Sequence, residues 1–196
     1  MCRVYQHLNI RRLYDEAYLC LCDSKIIQFL SFFSSNRIKH VVRGSDLTTK
    51  LLRSFSKNEA ILIVGSEVDH ANKVGQTFGL ENVQCYVPPM GFIKNEKEID
   101  NVFTFLQSNS QARIVFLAVG SPQQELIASQ YHKINNDKLL ICCGNAINFA
   151  IGNTKRAPSF MSEYGLEWLY RMVQEPIKMV PRYISNLKIF FLFFFK

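Results

Sequence analysis

The sequence lacks the short motifs that mark several common classes of α/β enzyme. No Gly-x-Gly-x-x-Gly is present, and neither is Gly-x-x-x-x-Gly-Lys-Ser/Thr, Gly-x-Ser-x-Gly or His-Glu-x-x-His. Dinucleotide oxidoreductases, P-loop nucleotide hydrolases, α/β hydrolases and zinc proteases therefore lose their usual support. An Asp-x-Asp pair that would hold a divalent metal under a nucleoside diphosphate is also missing. Any diphosphate chemistry would need cationic side chains of the protein.

The cysteines and the apolar runs exclude further classes. The six cysteines form no Cys-x-x-Cys pair and have no metal-ligand spacing, which predicts a reducing compartment and no zinc. No cofactor is expected. The first residues contain no apolar segment of a secretory signal, so we expect a cytoplasmic protein. The apolar run Ile189–Phe195 has seven residues, too few for the roughly 20 that span a bilayer. This run would pack into a membrane interface or promote aggregation.

The chain has the composition of one globular core and an uneven positive charge. It has 196 residues, 48% of them hydrophobic, and a formal net charge of +7. From Lys155 onward there are seven basic and three acidic residues, so this part is the expected electrostatic contact surface. Positive charge alone would also fit a nucleic-acid-binding domain. Outside the C-terminal part there is no basic face with stacking aromatics and no docking motif, so no nucleic-acid partner is expected.

Short apolar runs alternate with amphipathic segments along the chain. This pattern predicts an α/β fold with a Rossmann-like, mostly parallel sheet and helices on both faces. The predicted strands are YLCLC, IKHVV, AILIVG, VQCYV, ARIVFLAV and KLLICC.

The pattern changes at Leu166, after which no strand signal remains. We therefore predict an α/β catalytic domain over residues 1–165 and a helical, basic, membrane-proximal appendage over residues 166–196. Pro176 is expected to begin a second helical segment. If the helix continues through Pro181, three cations spaced by seven and four residues share one face, namely Arg171, Lys178 and Arg182.

Polar clusters follow three of the predicted strands: CDSK at 22–25, RGSD at 43–46 and GSPQQE at 120–125. Because the carboxyl ends of parallel strands meet at one edge of a sheet, these clusters are predicted to line one crevice. Ser45 and Asp46 are candidate caps of the second helix, and Ser121 with Pro122 is a candidate N-cap and first-turn pair.

These residues carry a resemblance to a known family. GSPQQE resembles the Gly-x-Pro-Lys-Gln-Glu motif of the WecG/TagA/CpsF glycosyltransferases. The stretch GNTKRAPSFMSEYGLEWLYRMVQEPIKMVPRYISN at 152–186 is similar to the C-terminal block of that family almost residue for residue. Cys22-Asp23-Ser24 and Gly44-Ser45-Asp46-Leu47 resemble two earlier family motifs in the same order. The resemblance covers nearly the whole chain.

The resemblance implies inverting, metal-independent transfer of a sugar, often N-acetylmannosamine, from a UDP-sugar to a polyprenyl-diphosphate-linked sugar. The reaction would take place at the inner face of a bacterial membrane during surface polysaccharide synthesis. The protein would then be peripherally bound to that face through its C-terminal appendage. Without a membrane, self-association into a homo-oligomer is one way in which the apolar residues of the appendage could be buried.

The family motifs also imply roles for particular residues. Asp23 matches the proposed catalytic base on the acceptor hydroxyl. Gln124 matches a glutamine of the family's site, whose amide can both donate and accept hydrogen bonds. The remaining candidates would bind substrate or its diphosphate: Arg43, Asp46, Glu125, Arg156, Arg171, Lys178 and Arg182.

Several of these residues have an alternative structural role. Asp23 could be a turn or helix cap. Asp46 is expected to be a structural cap rather than a catalytic acid. Glu125 could simply stabilise the first turn of a helix. Arg156 could belong to a helix entry, and the cations of the appendage could form a solvated face or a membrane-surface segment.

The chain departs from the family pattern at several positions. A strand tip bearing Thr or Asn is expected before the segment that begins at Gln6, and the chain begins too late to contain it. The arginine that often precedes the Gly-x-Asp motif falls at Val41, with His40 and Arg43 nearby. Ile147-Asn148 replaces a Phe-Asp pair, and the motif lysine is Gln123. A non-catalytic, membrane-associated homologue in polysaccharide assembly is therefore the alternative hypothesis.

Overall fold

A computed structural model describes residues 8–33, 37–65, 67–154, 157–158, 161, 166–174, 176–177, 180–181 and 184. The chain divides into two compact units. The central unit comprises residues 44–154, and the terminal unit combines residues 1–43 with residues 155–196.

The central unit alternates strands and helices in chain order. Its strands are β1 (Ile61–Val64), β2 (Val83–Tyr86), β3 (Ile114–Leu117) and β4 (Leu139–Cys142). The first two helices of the chain, α1 (Leu8–Asp15) and α2 (Lys25–Ser31), belong to the terminal unit. The helices of the central unit are α3 (Gly44–Ser54), α4 (His70–Phe78), α5 (Glu96–Ser108), α6 (Gln123–Ile134) and α7 (Ala146–Ala150). A short 3₁₀ helix, Phe92–Lys94, precedes α5.

The strands form a parallel sheet in the order β2-β1-β3-β4. The register pairs Ile61 with Val83 on one side and with Ile114 on the other, and pairs Ile114 with Leu139. The chain runs outward from β1 to β2, then returns past β1 to continue through β3 and β4. The carboxyl ends of β1 and β3 therefore flank the point where the strand order reverses.

The core lies on both faces of the sheet. Successive residues of β1 point to opposite faces, so Leu62 and Val64 pack on one side and Ile61 and Ile63 on the other. The first side is covered by buried residues of α5 and α6, namely Val102, Phe103, Leu106, Ile127 and Tyr131. The second side is covered by α3, α4 and α7 through Leu52, Val74 and Ile147. All four residues of β1 are buried, as expected for a strand covered on both faces.

The boundaries of the helices follow local chemistry. Asn95 is the N-cap of α5 and its side-chain oxygen accepts a hydrogen bond from the Lys97 N–H at 3.1 Å. Glu96 and Glu98 lie in the first turn, where negative charge interacts favourably with the helix dipole. Helix α4, which precedes β2, ends before Gly79. The φ of this residue is 70°, a conformation that glycine adopts at little cost.

The predicted α/β class is confirmed, and four of the six predicted strands are present. The prediction of strands at 18–22 and 38–42 is wrong. Val42 N–H donates to Cys22 C=O at 2.9 Å, but this contact does not extend into a ladder. Tyr18, Leu19 and Leu21 are exposed, so these segments lack the burial that stabilises a strand within a sheet.

The terminal unit contains α1, α2 and, near its C-terminal end, α8 (Glu167–Gln174). Pro176 and Ile177 are helical, in agreement with the helical segment predicted there. Within the described ranges, no helix has the length and apolar character needed to cross a bilayer.

Candidate active site at the carboxyl edge of the sheet

The carboxyl edge of the central sheet collects the loops that follow β1, β3 and β4. In open α/β sheets of this winding, ligands bind in the crevice where the strand order reverses. Here that position lies beside the loop after Val64 and the loop after Leu117, with the loop after Cys142 next to them. The topology alone therefore selects this edge as the candidate site.

Gln124 joins the loops after β3 and β4. Its side chain is buried, with 7% exposed. The side-chain Oε1 accepts a hydrogen bond from the backbone N–H of Gly144 at 2.9 Å. Gly144 has a φ of 53°, a conformation that costs glycine little and most other residues more. The glutamine amide thereby fixes the position of a backbone turn at the tip of β4.

Glu125 fixes the orientation of the same amide. Its Oε1 accepts from Gln124 Nε2 at 3.0 Å, and it lies in the first turn of α6. The carboxylate and the Gly144 N–H together determine which end of the Gln124 amide is oxygen and which is nitrogen. One amide hydrogen and one lone pair of Gln124 remain available in this arrangement, which suits contact with hydroxyl or phosphate groups.

A second hydrogen-bonded group links the loop after β1 to α7. His70, the first residue of α4, is fully buried, and its Nε2 lies 3.1 Å from Asn148 Oδ1. Asn148 Nδ2 donates to Asn145 Oδ1 at 2.8 Å. Asn153 Nδ2 donates both to Asn148 Oδ1 at 3.2 Å and to Glu67 Oε2 at 3.1 Å. We call these five residues the His70 network.

The network assigns the proton on the imidazole ring. Because Asn148 uses its nitrogen to donate to Asn145, its oxygen faces His70 and can only accept. The carboxylate of Glu67 also lies near the same ring nitrogen, with Oε2 at 3.7 Å. Both neighbours of Nε2 are thus acceptors, so Nε2 carries a hydrogen.

The tight packing of His70 involves Gly65, the residue that follows β1. A Cβ added at Gly65 would lie 2.7 Å from His70 Nδ1 and 3.3 Å from Ile63 Cγ2. Such approaches are closer than van der Waals contact allows. Glycine at position 65 therefore makes room for the imidazole ring.

The structure places the predicted site residues in both units. Gln124 and Glu125 are brought into direct contact in the central unit, and Asp46 lies half-buried in the first turn of α3 of that unit. Asp23, which is exposed, and Arg43, which is half-buried, belong to the terminal unit. The prediction that all three polar clusters line one crevice stays a prediction.

The predicted capping residues need correction. Helix α3 begins at Gly44, so Ser45 and Asp46 lie inside the helix and are not its N-cap. The N-cap of α6 is Pro122, without a capping side chain, and Ser121 precedes it. For α2, Ser24 is the N-cap and accepts from Ile27 N–H at 3.3 Å. The capping role considered for Asp23 is therefore performed by its neighbour.

The cations of the C-terminal part fall largely beyond what the structure describes. The backbone of Arg171 belongs to α8, but its side chain is outside the described part. Arg156, Lys178 and Arg182 lie outside the described residues altogether. Their predicted contacts with substrate stay predictions.

Comparison with known proteins identifies the family. The family described as Glycosyl transferase WecG/TagA/CpsF matches residues 1–196. The chain belongs to this family. The resemblance inferred from GSPQQE and the C-terminal block is thereby confirmed, and the carboxyl edge described above is that of a WecG/TagA/CpsF protein.

The chain is also similar to a curated protein with a named activity. The chain is 26% identical over 154 residues to an N-acetylglucosaminyldiphosphoundecaprenol N-acetyl-beta-D-mannosaminyltransferase of Bacillus spizizenii. The match covers 74% of this chain and 58% of the relative. The chain thus spans less than two thirds of the length of this relative.

Sequence reasoning missed the His70 network of this WecG/TagA/CpsF protein. Its only sequence signals were the replacement of a family Asp by Asn148 and the position of His70 four residues before the buried Val74. Buried residues four apart share one face of a helix, so His70 occupies a core position of α4. The partner, Asn148, is 78 residues away, and no local pattern connects the two.

Cys85 and Cys143, which the structure describes, are not reactive thiols. Burial raises the pKa of the Cys143 thiol to about 12 and that of Cys85 to about 11. Both are therefore thiols, and poor nucleophiles, at neutral pH. In the described ranges, no three His, Cys, Asp or Glu side chains are grouped so that they could hold a metal ion.

Proposed function

We propose that the chain is an inverting, metal-independent glycosyltransferase that moves an N-acetylmannosamine-type sugar from UDP to a polyprenyl-diphosphate-linked acceptor. The observation that carries this proposal is the Gln124–Gly144 contact, which lies beside the strand-order reversal of a WecG/TagA/CpsF protein. The name of the Bacillus relative, an N-acetylmannosaminyltransferase acting on an undecaprenol-diphosphate-linked N-acetylglucosamine, supports the kinds of transferred sugar and acceptor.

On the donor side, Gln124 is proposed to bind the sugar or the diphosphate. Its amide is held on one side by Gly144 and on the other by Glu125, so it does not need to reorganise when the donor binds. Preorganised donors of hydrogen bonds stabilise developing charge better than mobile ones. Glu125 then acts by orienting Gln124, while Asp46 stabilises the start of α3 and is retained as a substrate-binding candidate.

On the acceptor side, Asp23 is proposed as the general base. An inverting displacement requires a group that takes the proton of the attacking hydroxyl as the new bond forms. A carboxylate is adequate because the hydroxyl becomes acidic only in the transition state. The exposure of Asp23 and the capping of α2 by Ser24 support this role, since no structural task of a cap falls to Asp23.

The departing UDP carries charge that must be neutralised. Without a metal, arginine and lysine side chains would supply this charge, and arginine can bind two phosphate oxygens through parallel N–H groups. We propose Arg43, Arg156, Arg171, Lys178 and Arg182 for this task. Their support is the match of the family over residues 1–196, which include all five positions.

The appendage is proposed to bind the inner face of the cytoplasmic membrane peripherally. Its described part exposes apolar side chains at intervals of three and four residues: Leu166, Leu169, Val173, Ile177, Val180 and Ile184. On a helix this spacing forms one apolar stripe. Such a stripe beside basic residues suits an anionic membrane surface, which is where a polyprenyl acceptor would be located.

The proposal is tested by measuring UDP release from UDP-N-acetylmannosamine and UDP-N-acetylglucosamine in detergent. The reaction is run with and without a polyprenyl-diphosphate-linked N-acetylglucosamine acceptor. We expect release that depends on the acceptor and falls at least 100-fold in Asp23→Asn, in the range of a lost general base. Asp15→Asn, which removes another exposed carboxylate of the terminal unit, should retain activity.

The alternative of a non-catalytic homologue makes a different prediction. In that case the folded protein binds UDP but releases none from either sugar nucleotide, with or without acceptor. Asp23→Asn would then leave UDP binding unchanged. This result would contradict the proposed transfer and favour a membrane-associated component of polysaccharide assembly.

A further inference from the structure

We propose that His70 is a positioning residue for donor binding at the carboxyl edge. This inference rests on the proposed function, because it assigns His70 to the binding of the nucleoside diphosphate sugar. His70 itself is fully buried and touches no substrate. It acts through Asn148, which determines the position of polar side chains at the edge.

The His70 network has a buried and an exposed part. Its inner members, His70 and Asn148, are buried, with 0% and 8% exposed. Its outer members, Glu67, Asn145 and Asn153, are exposed. A buried pair thus supports exposed hydrogen-bonding groups, which is the arrangement of a supporting shell behind a binding surface.

Two outer members of the network lie at the carboxyl ends of strands. Glu67 follows β1, whereas Asn145 follows β4 and is the neighbour of Gly144. Gln124 contacts Gly144 from the first turn of α6, the helix that follows β3. Beside the backbone hydrogen bonds from Cys143 and Gly144 to the Leu117 carbonyl, two side-chain contacts hold the segment after β4. One joins Gln124 to Gly144, and the other joins His70 to Asn148 of α7. Both contacts act on the edge where the strand order reverses.

Removal of His70 would take one hydrogen-bond donor away from Asn148. Asn148 Oδ1 would keep the Asn153 amide at 3.2 Å but would lose the donor that reaches it from the core. Asn148 could then rotate, and its hydrogen bond to Asn145 would be lost with it. The imidazole also fills the space above Gly65, so no other group occupies its place.

Glu67 is the carboxylate of the His70 network and lies on the exposed side of the ring. Among the described residues, the ring is faced by the Glu67 carboxylate, the Asn148 amide oxygen and Gly65. The proposed role depends on the hydrogen at Nε2, which is present in the Nε2–H neutral form and in the charged form alike. A neutral amide that supplies a donor at the same place should therefore replace the imidazole.

The experiment compares His70→Gln with His70→Asn and His70→Leu. The amide nitrogen of Gln extends about as far along the side chain as Nε2, whereas that of Asn corresponds to Nδ1 and falls short of Asn148. We expect UDP to bind about tenfold more weakly to the Asn and Leu variants, and within threefold of wild type to the Gln variant. In the transfer assay, the Asn and Leu variants should have a raised KM for the donor and a kcat within twofold of wild type. His132→Leu, an exposed histidine near the end of α6, is the matched control.

Two results would overturn the inference. One is equal UDP affinity of the Gln, Asn and Leu variants, which would leave the imidazole a purely structural group. The other is loss of a limb of the kcat pH profile in His70→Gln, which would indicate proton transfer by His70 itself.

Crystal structures of the Gln and Asn variants decide the geometric claim independently of activity. Asn145 and Asn148 should keep their wild-type positions in His70→Gln and move in His70→Asn. Unchanged positions in both would overturn the inference even if the protein binds no UDP. Absence of UDP binding in the wild type, by contrast, would count against the proposed function.

Discussion

Gln124 accepts the backbone N–H of Gly144 through Oε1 at 2.9 Å, and this contact joins the ends of β3 and β4. It combines a buried glutamine with a glycine in a left-handed conformation. The sequence predicts the same glutamine, together with Asp23, as a catalytic residue of the site. The structure adds a second task, which is to hold the loop that follows β4.

Gln124→Glu is expected to destabilise the protein at neutral pH. The substitution replaces the Gln124 Nε2 donor, 3.0 Å from Glu125 Oε1, with a second carboxylate oxygen. Two carboxylates at this distance disfavour joint ionisation, and we expect the free energy of unfolding to fall by about 1–3 kcal/mol.

Urea unfolding as a function of pH measures this effect. A carboxyl pKa that is raised in the folded state retains its proton, so the deficit of Gln124→Glu should shrink as the pH falls from 7 towards 5. Gln130→Glu, an exposed position of the same helix, is the control. Identical stability and pH dependence of the two variants would contradict the assigned contact.

Lys138→Met is expected to lower stability without affecting the candidate site. The buried ammonium donates to the carbonyl oxygens of Asn109 at 3.0 Å and Ala112 at 2.7 Å. Methionine has a similar volume and leaves both oxygens without this donor, which costs about 1–3 kcal/mol.

The effect of Lys138→Met is measured by urea unfolding beside Lys133→Met, an exposed lysine in the last turn of α6. UDP affinity should stay at the wild-type value in both variants, because Lys138 lies at the amino end of β4. Equal unfolding midpoints would show that the buried donor adds nothing to stability.

Alkaline pH is expected to destabilise the fold through buried acidic groups. Burial raises the pKa of Cys143 from 9.0 to about 12 and is the main cause that raises that of Tyr131 from 10.0 to about 12. The unfolded chain loses these protons first, so stability is present below pH 9 and is lost as the pH rises towards 12.

Thermal unfolding across this pH range tests the assignment. Cys143→Ala should show a shallower loss of stability above pH 9 than wild type. Cys142→Ala, which changes the adjacent exposed cysteine, should keep the wild-type slope. Parallel curves for Cys143→Ala and wild type would show that this thiol is not the titrating group.

Val173→Asp and Ile177→Asp are expected to weaken membrane binding. Both side chains are exposed, at 75% and 90%, so the substitutions should leave the fold intact. A charge in the apolar stripe opposes burial in the membrane interface.

Co-sedimentation with anionic phospholipid vesicles measures this binding. We expect each variant to bind at least tenfold more weakly than wild type, while Ile134→Asp, an exposed isoleucine in the last turn of α6, binds normally. Unaltered binding of Val173→Asp and Ile177→Asp would exclude the stripe as the membrane contact.

The central sheet was predictable because its signals are local. The apolar runs at β1 and β3 are long enough to be buried on both faces, and the helices between strands carry their own apolar spacing. The strands expected at 18–22 and 38–42 failed because an apolar run of this length becomes a strand only when a neighbouring strand pairs with it. That condition is not local to the sequence.

The candidate site was predictable in part for a similar reason. Gln124 and Glu125 lie in the first turn of the helix after β3, within the polar cluster at the end of that apolar run, so the strand-end rule finds them. His70 and Asn148 meet over 78 residues, and each alone reads as an ordinary polar residue of a helix. Only the fold brings them together, and no spacing rule on the sequence could have paired them.

The central claim is that the carboxyl edge beside Gln124 binds the donor nucleotide. Titration of ¹⁵N-labelled protein with UDP, followed by amide chemical shifts, tests it most directly. The account predicts concentration-dependent shifts at Gly120, Gly144 and Asn145, and unchanged amides at Asn109 and Lys138 near the opposite edge. Shifts confined to the opposite edge, or none at saturating UDP, would contradict the claim.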